Sequence, residues 1–227
     1  MNLEDLTNSF RVDSDDESRA VSGGDGDLLW PAEDVTRWLN EGVDEAALRK
    51  RLLFEDVLPA MCRIDVLVGQ SAYPLHPALI DITAAFVTRP DGGRPCQIFP
   101  TDRIELDRVR HGWRFERCEF KDFIQEDKRI VLPGIVDEPR TLRLEGYRLP
   151  LNPLVGDSDE PEIANTHHRF LVHWALHRAY GKQDADTFDP KRSALELTKF
   201  EDYFGPRPDA DLRKDQHANR PHFNKAW

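Results

Sequence analysis

The stretch from Pro161 to Gly205, PEIANTHHRFLVHWALHRAYGKQDADTFDPKRSALELTKFEDYFG, admits little other than two consecutive helices around an acidic hinge. In the first, Phe170, Leu171, Trp174, Ala175 and Arg178 recur at spacings of three and four. Val172, Leu176, Ala179 and Tyr180 fill much of the remaining circumference, so the helix must be covered on more than one side. Gly181 suits a C-terminal cap in the left-handed conformation, Asp189 an N-cap, and Pro190 a first helical position. The second helix carries Phe200 and Phe204 and stops at Gly205, ahead of Pro206 and Pro208.

A second helical pattern begins after Pro31. Glu33 and Asp34 favour the positive end of a helix dipole, and Val35, Trp38, Leu39, Gly42 and Ala46 follow one face. Leu52 and Leu53 extend the pattern, and Asp56 to Pro59 should end it. The core expected of a helical bundle is therefore Val35, Trp38, Leu39, Phe170, Leu171, Trp174, Phe200 and Phe204.

Between these helices the period changes from 3.6 to 2. Cys62, Ile64, Val66 and Val68 alternate as on a half-buried strand, and further strands are predicted near 79–88, 97–99, 120–125, 129–132 and 141–149. Residues 101–109 could form a helical turn. The expected fold is α+β: a bundle of an N-terminal helix and a C-terminal hairpin, with a small antiparallel sheet or sandwich inserted and extended termini. The corresponding segments are an acidic flexible tail at 1–27, the first helix at 28–59, the β insertion at 60–150, the linker and hairpin at 151–205, and a C-terminal tail at 206–227.

Of 227 residues, 39% are hydrophobic, enough for a core that folds unaided. The net charge is -11, and residues 1–27 hold eight acids against two arginines. Such a balance excludes tight nonspecific nucleic-acid binding, which depends on Lys and Arg displacing counterions from phosphates. No apolar run approaches membrane-spanning length, and the N-terminus is acidic where a targeting segment would be basic. Cys62, Cys96 and Cys118 form no CxxC pair and are expected to be buried free thiols in a reducing cytoplasm.

Four histidines, His167, His168, His173 and His177, cluster on the first hairpin helix. His173 and His177 stand four apart and could share a metal, with Asp184 or Asp186 completing the site of a small metal-dependent hydrolase. The zinc-protease signature needs glutamate directly after the first histidine, where this chain has Trp174. Asp184, Asp186 and Asp189 lack the glycine and terminal glutamate of a calcium loop, and serve better as caps and hinge acceptors. Cys118 with His111 lacks a nucleophile signature, and no Walker or GxGxxG loop is present. No cofactor or enzymatic activity is expected.

The C-terminal segment differs from the rest in combining Arg207, Arg213, Lys214, Arg220 and Lys225 with Phe223 and Trp227. Aromatic and arginine anchors of this kind suit an extended tail that drapes over another surface.

In order of features, the chain resembles the head-to-tail adaptor (connector) proteins of short-tailed bacteriophages. The residues that carry the resemblance are WPAEDVTRWLNEGVDEAALRKRLL, YRLPLNPLVGDSDEPEIANTHHRFLVHWALHRAYGKQDADTFD and FEDYFG, spread over 28–205. The resemblance implies a virion protein made in the host cytoplasm, forming a ring of about twelve copies under the portal. Such a ring would join head to tail, contact portal and tail tube or nozzle proteins, and pass DNA without reading its sequence or touching a membrane. It further implies that the tail residues Arg213, Lys214, Arg220, Phe223, Lys225 and Trp227 dock on the portal. Another neck or tail component is the nearest alternative.

Overall fold

A computed structural model of the protein describes residues 1–16, 28–89, 91–117, 120–183 and 187–208. The chain divides into a helical unit, Met1–Leu53 with Leu149–Arg207, and a β-rich unit that includes Phe54–Arg148. The fold is α+β.

The helical unit has one helix more than expected. Residues 1–27 do not begin as a tail: α1 spans Leu3–Asp13, with Asn2 and Asp5 forming a reciprocal capping box. Its buried face is Leu3, Leu6 and Phe10, at spacings of three and four, and each large side chain so buried contributes roughly 1.5–3 kcal/mol. The acids lie on the other faces, and one of them, Asp13, receives Arg169 of the hairpin at 2.8 Å. Buried Asp16 closes the segment by pairing with Arg11 and accepting the Leu29 amide at 3.0 Å. The remainder of the predicted tail, 17–27, lies outside the described residues.

Helix α2 spans Ala32–Lys50 and ends where Arg51 turns left-handed, with Leu52 and Leu53 folded back against the core. The hairpin consists of α5, Asn165–Gly181, and α6, Pro190–Phe204. Helix α5 packs against α1, α2 and α6, which is why apolar residues surround most of it. At its crossing with α2 the two backbones approach closely, and a Cβ on Gly42 would stand 3.2 Å from that of Trp174. Asp189 caps α6 by accepting the Lys191 and Arg192 amides. Gly181 does not take the left-handed conformation. It is the last residue of α5, and a Cβ there would lie 3.2 Å from Ser193 Oγ, so its value is close approach of α6.

The β unit is an eight-stranded mixed sheet, joined by two short helices. Its elements are β1 Phe54–Glu55, α3 Pro59–Cys62, β2 Arg63–Val66, β3 Ala72–Pro74, β4 Leu79–Thr88, β5 Cys96–Pro100, α4 Arg103–Val109, β6 Asp122–Glu126, β7 Arg129–Val131 and β8 Arg140–Arg148. The order is β1-β8-β4-β5-β6-β7-β3, with β2 also on β8. All pairings are antiparallel except β5 with β6, so the wholly antiparallel expectation is corrected. Helix α4 provides the crossover that a parallel pair requires.

Strand β4 buries Leu79, Ile82, Ala85 and Val87, spacings of three, three and two rather than a strict alternation. Register shifts between Leu79 and Asp81 and between Ile82 and Ala84 account for both triplets. Opposite them stands Gly146, where a Cβ would lie 2.1 Å from the Asp81 carbonyl oxygen. Only glycine fits. Cys62 is buried, whereas Cys96 is exposed at the start of β5, against the expectation that all the thiols are interior. Cys118 lies outside the described residues. Among the described residues no helix is long and apolar enough to cross a membrane.

Candidate assembly surfaces

The histidine cluster is a set of helix-to-helix fasteners. His173 Nδ1 lies 2.7 Å from Glu196 Oε2, and His177 Nδ1 lies 3.0 Å from both the Ser193 carbonyl oxygen and its hydroxyl. Both side chains therefore face α6. Buried His168 contacts the Ile163 carbonyl at 2.8 Å and the Met1 carbonyl at 3.0 Å, and His167 meets the Tyr203 hydroxyl at 3.0 Å. No group of three or more His, Cys, Asp or Glu side chains among the described residues is placed to hold a metal. Asp184 and Asp186, the remaining candidate ligands, lie outside them.

Electrostatics favour the same role. Burial raises the Glu196 carboxyl, but hydrogen bonds from Lys199 and His173 outweigh it and hold the group below its ordinary value. His167 is held low by burial first, then by Lys50 and His168. The Tyr180 hydroxyl is pushed up to about 12, chiefly by burial. Such groups stabilise a scaffold in one protonation state.

Arg49 joins α2 to the end of the hairpin. Its side chain is only 4% exposed; it donates to Glu45 at 2.9 Å, to Glu201 at 3.1 Å and to the Gly205 carbonyl at 3.2 Å. Its guanidinium also lies over the rings of Trp174 and Phe200. Val35, Trp38, Leu39, Leu171, Phe200 and Phe204 are buried in the core of the helical unit, while Phe170 and Trp174 are partly buried. Phe170 stacks on Tyr203 with centroids 3.5 Å apart. The C-terminal docking candidates Arg213, Lys214, Arg220, Phe223, Lys225 and Trp227 lie outside the described residues.

On the surface of the helical unit, α1, the start of α2 and the 153–157 loop enclose a groove of 710 Å³. Leu3, Leu154 and Val155 supply apolar lining, and Glu4, Glu33, Asp157 and Arg37 supply its charged groups. Helix α1 forms one wall, so the groove could not be read from a sequence in which that helix was missed.

The β unit exposes apolar side chains instead. Ile104 and Phe115 are each 82% exposed, and Val109, Leu67 and Val68 are also in water. The segment bearing Ile104 and Phe115 is firmly built. Asp102 caps α4 through the Glu105 amide at 2.7 Å, and Leu106 and Trp113 form a small core with Ile124 and Val131. Hydrogen bonds from Arg114 and the Trp113 indole hold the Asp107 carboxyl down at about 2. Arg110 pairs with Glu116 at 2.9 Å, and the Glu116 carbonyl accepts the Ile135 amide. A rigid base thus carries a solvent-facing phenylalanine.

A scaffold whose histidines and Arg49 are engaged internally, bearing an apolar groove and apolar protrusions, is built for contact. The model of the SU10 adaptor protein family matches residues 1–222, so the chain belongs to that family and is a structural adaptor of a bacteriophage particle. The match extends beyond 28–205 to include α1 and most of the C-terminal segment. No curated protein matches the chain at a significant level.

Proposed function

We propose that the protein forms a ring of about twelve copies beneath the portal, joins the head to the tail, and leaves a channel for DNA. The observation that carries this reading is the family match over residues 1–222. The helical unit would build the ring, and the β unit would present surfaces to neighbouring and tail subunits. A net charge of -11 supports passage of DNA rather than capture, since like charge repels phosphates and readout requires placed donors. The metal-dependent alternative is not favoured, because His173 and His177 are both turned towards α6.

The C-terminal segment would dock on the portal through Phe223 and Trp227, with Arg213, Lys214, Arg220 and Lys225 around them. Co-sedimentation with purified portal rings tests this. Full-length protein should pellet with the portal, and protein lacking 206–227 should fold but remain in the supernatant. Undiminished binding of the shortened chain would refute the docking role.

A further inference from the structure

The groove and the exposed phenylalanine are complementary in polarity and charge. Glu4, Glu33 and Asp157 make no ion pair with any described residue, whereas Asp13, Asp34, Glu41, Glu45 and Glu196 are all paired. Arg37, the basic residue of the lining, is paired with Asp34, so three carboxylates without a described counterion outnumber it beside Leu3, Leu154 and Val155. In the β unit, residues 103–117 carry five arginines against three carboxylates. Arg103, Arg108, Arg110 and Arg114 pair with carboxylates of their own unit, and exposed Arg117 makes no ion pair with any described residue. Within this locally basic segment Ile104 and Phe115 face water. A groove of 710 Å³ has room for an aromatic side chain and its neighbours.

Resting on the ring reading above, we propose that the groove of one copy receives Phe115 of the next, with the nearby Arg117 against the carboxylates Glu4, Glu33 and Asp157. The contact is heterologous: each copy offers one groove and one protrusion, and such contacts generate rings when the rotation closes. A second copy is the favoured occupant because the same chain supplies a basic, apolar protrusion to match an acidic, apolar groove. Desolvating an aromatic anchor inside a charged rim is the arrangement of an interface hot spot. Salt should weaken the contact by screening its rim.

Full-length wild type, Phe115→Asp and Glu33→Arg are compared by analytical ultracentrifugation, free in solution and on purified portal rings. Wild type should assemble beyond a dimer on the portal, and each variant should associate at least about 30-fold more weakly while keeping wild-type circular dichroism. Mixing the two variants restores one intact contact, Phe115 of the Glu33→Arg chain in the unaltered groove of the Phe115→Asp chain, and should yield a heterodimer. Variants that assemble as wild type does, or two defective variants that fail to dimerise when mixed, overturn the inference. Binding of the C-terminal segment in the groove would instead appear as loss of assembly on deleting 209–227 with Phe115→Asp unaffected, and also overturns it. Wild type that fails to assemble even on portal rings refutes the ring reading itself.

Discussion

The helical unit and the β unit differ in what each turns towards water. In the helical unit the groups with most chemical potential are engaged inside: four histidines join helices or secure a terminus, and Arg49 is buried among two carboxylates, a carbonyl and two rings. In the β unit large apolar side chains, Ile104 and Phe115 above all, stand on a rigid base with nothing described over them. Conspicuous residues in a sequence can be mortar, and unremarkable ones can be the working surface. Histidine clustering reflects helix packing here, whereas a lone phenylalanine in an arginine-rich turn is left facing water.

The sharpest break of this contrast is Gly146→Ala. With a Cβ placed 2.1 Å from a backbone oxygen, the sheet must rearrange, and the β unit should lose more than about 3 kcal/mol. Hydrogen exchange resolved by segment should then show β4 and β8 unprotected. Full protection there would mean the bulge can shift to accommodate a methyl group.

Arg49→Ala should cost about 1–3 kcal/mol in denaturant unfolding, because it removes the buried donor from Glu45 and the Gly205 carbonyl and the cation from the rings of Trp174 and Phe200. A loss below 1 kcal/mol, about that of an exposed pair, would show that water replaces the guanidinium.

Acid provides a smaller, graded effect. The folded His167 has its proton affinity lowered from 6.5, so below that pH the unfolded chain binds more protons than the folded one. Stability from neutral His167 is complete above pH 6.5 and is lost as pH falls towards the lowered folded value. Glu196 acts further down: its contribution is present above 4.5 and is lost as pH falls through its own lowered value. Thermal melting between pH 8 and 4 should show this decline, and His167→Gln should flatten its upper part. An identical slope in the variant would remove His167 from the account.

Smallest of all should be the stability effect of Phe115→Asp, within about 0.5 kcal/mol of wild type despite the loss of assembly. A large destabilisation would show that Phe115 belongs to the β unit's own packing.

Much of this architecture was legible because its causes are local. Strand β4 was predicted at its observed bounds, since turn signals and apolar residues frame 79–88, and the hairpin carried its own cap and breaker at Asp189 and Gly205. Helix α1 was missed because five of the eight acids of residues 1–27 follow it and give the whole segment the composition of a tail, hiding the period of Leu3, Leu6 and Phe10. Strands β1 and β3, two and three residues long, carry too little pattern to be seen. The β5–β6 pairing depends on a crossover rather than on either strand's residues. The groove and the Phe115 protrusion depend on which side of a segment faces the core, which alternation alone leaves open in a short helix such as α4.

Electron microscopy of the full-length protein mixed with purified portal tests the central claim most directly. A closed ring of protein is expected, seated on one end of the portal with its channel continuous with the portal's. Protein bound as scattered single copies, or not bound at all, would contradict it.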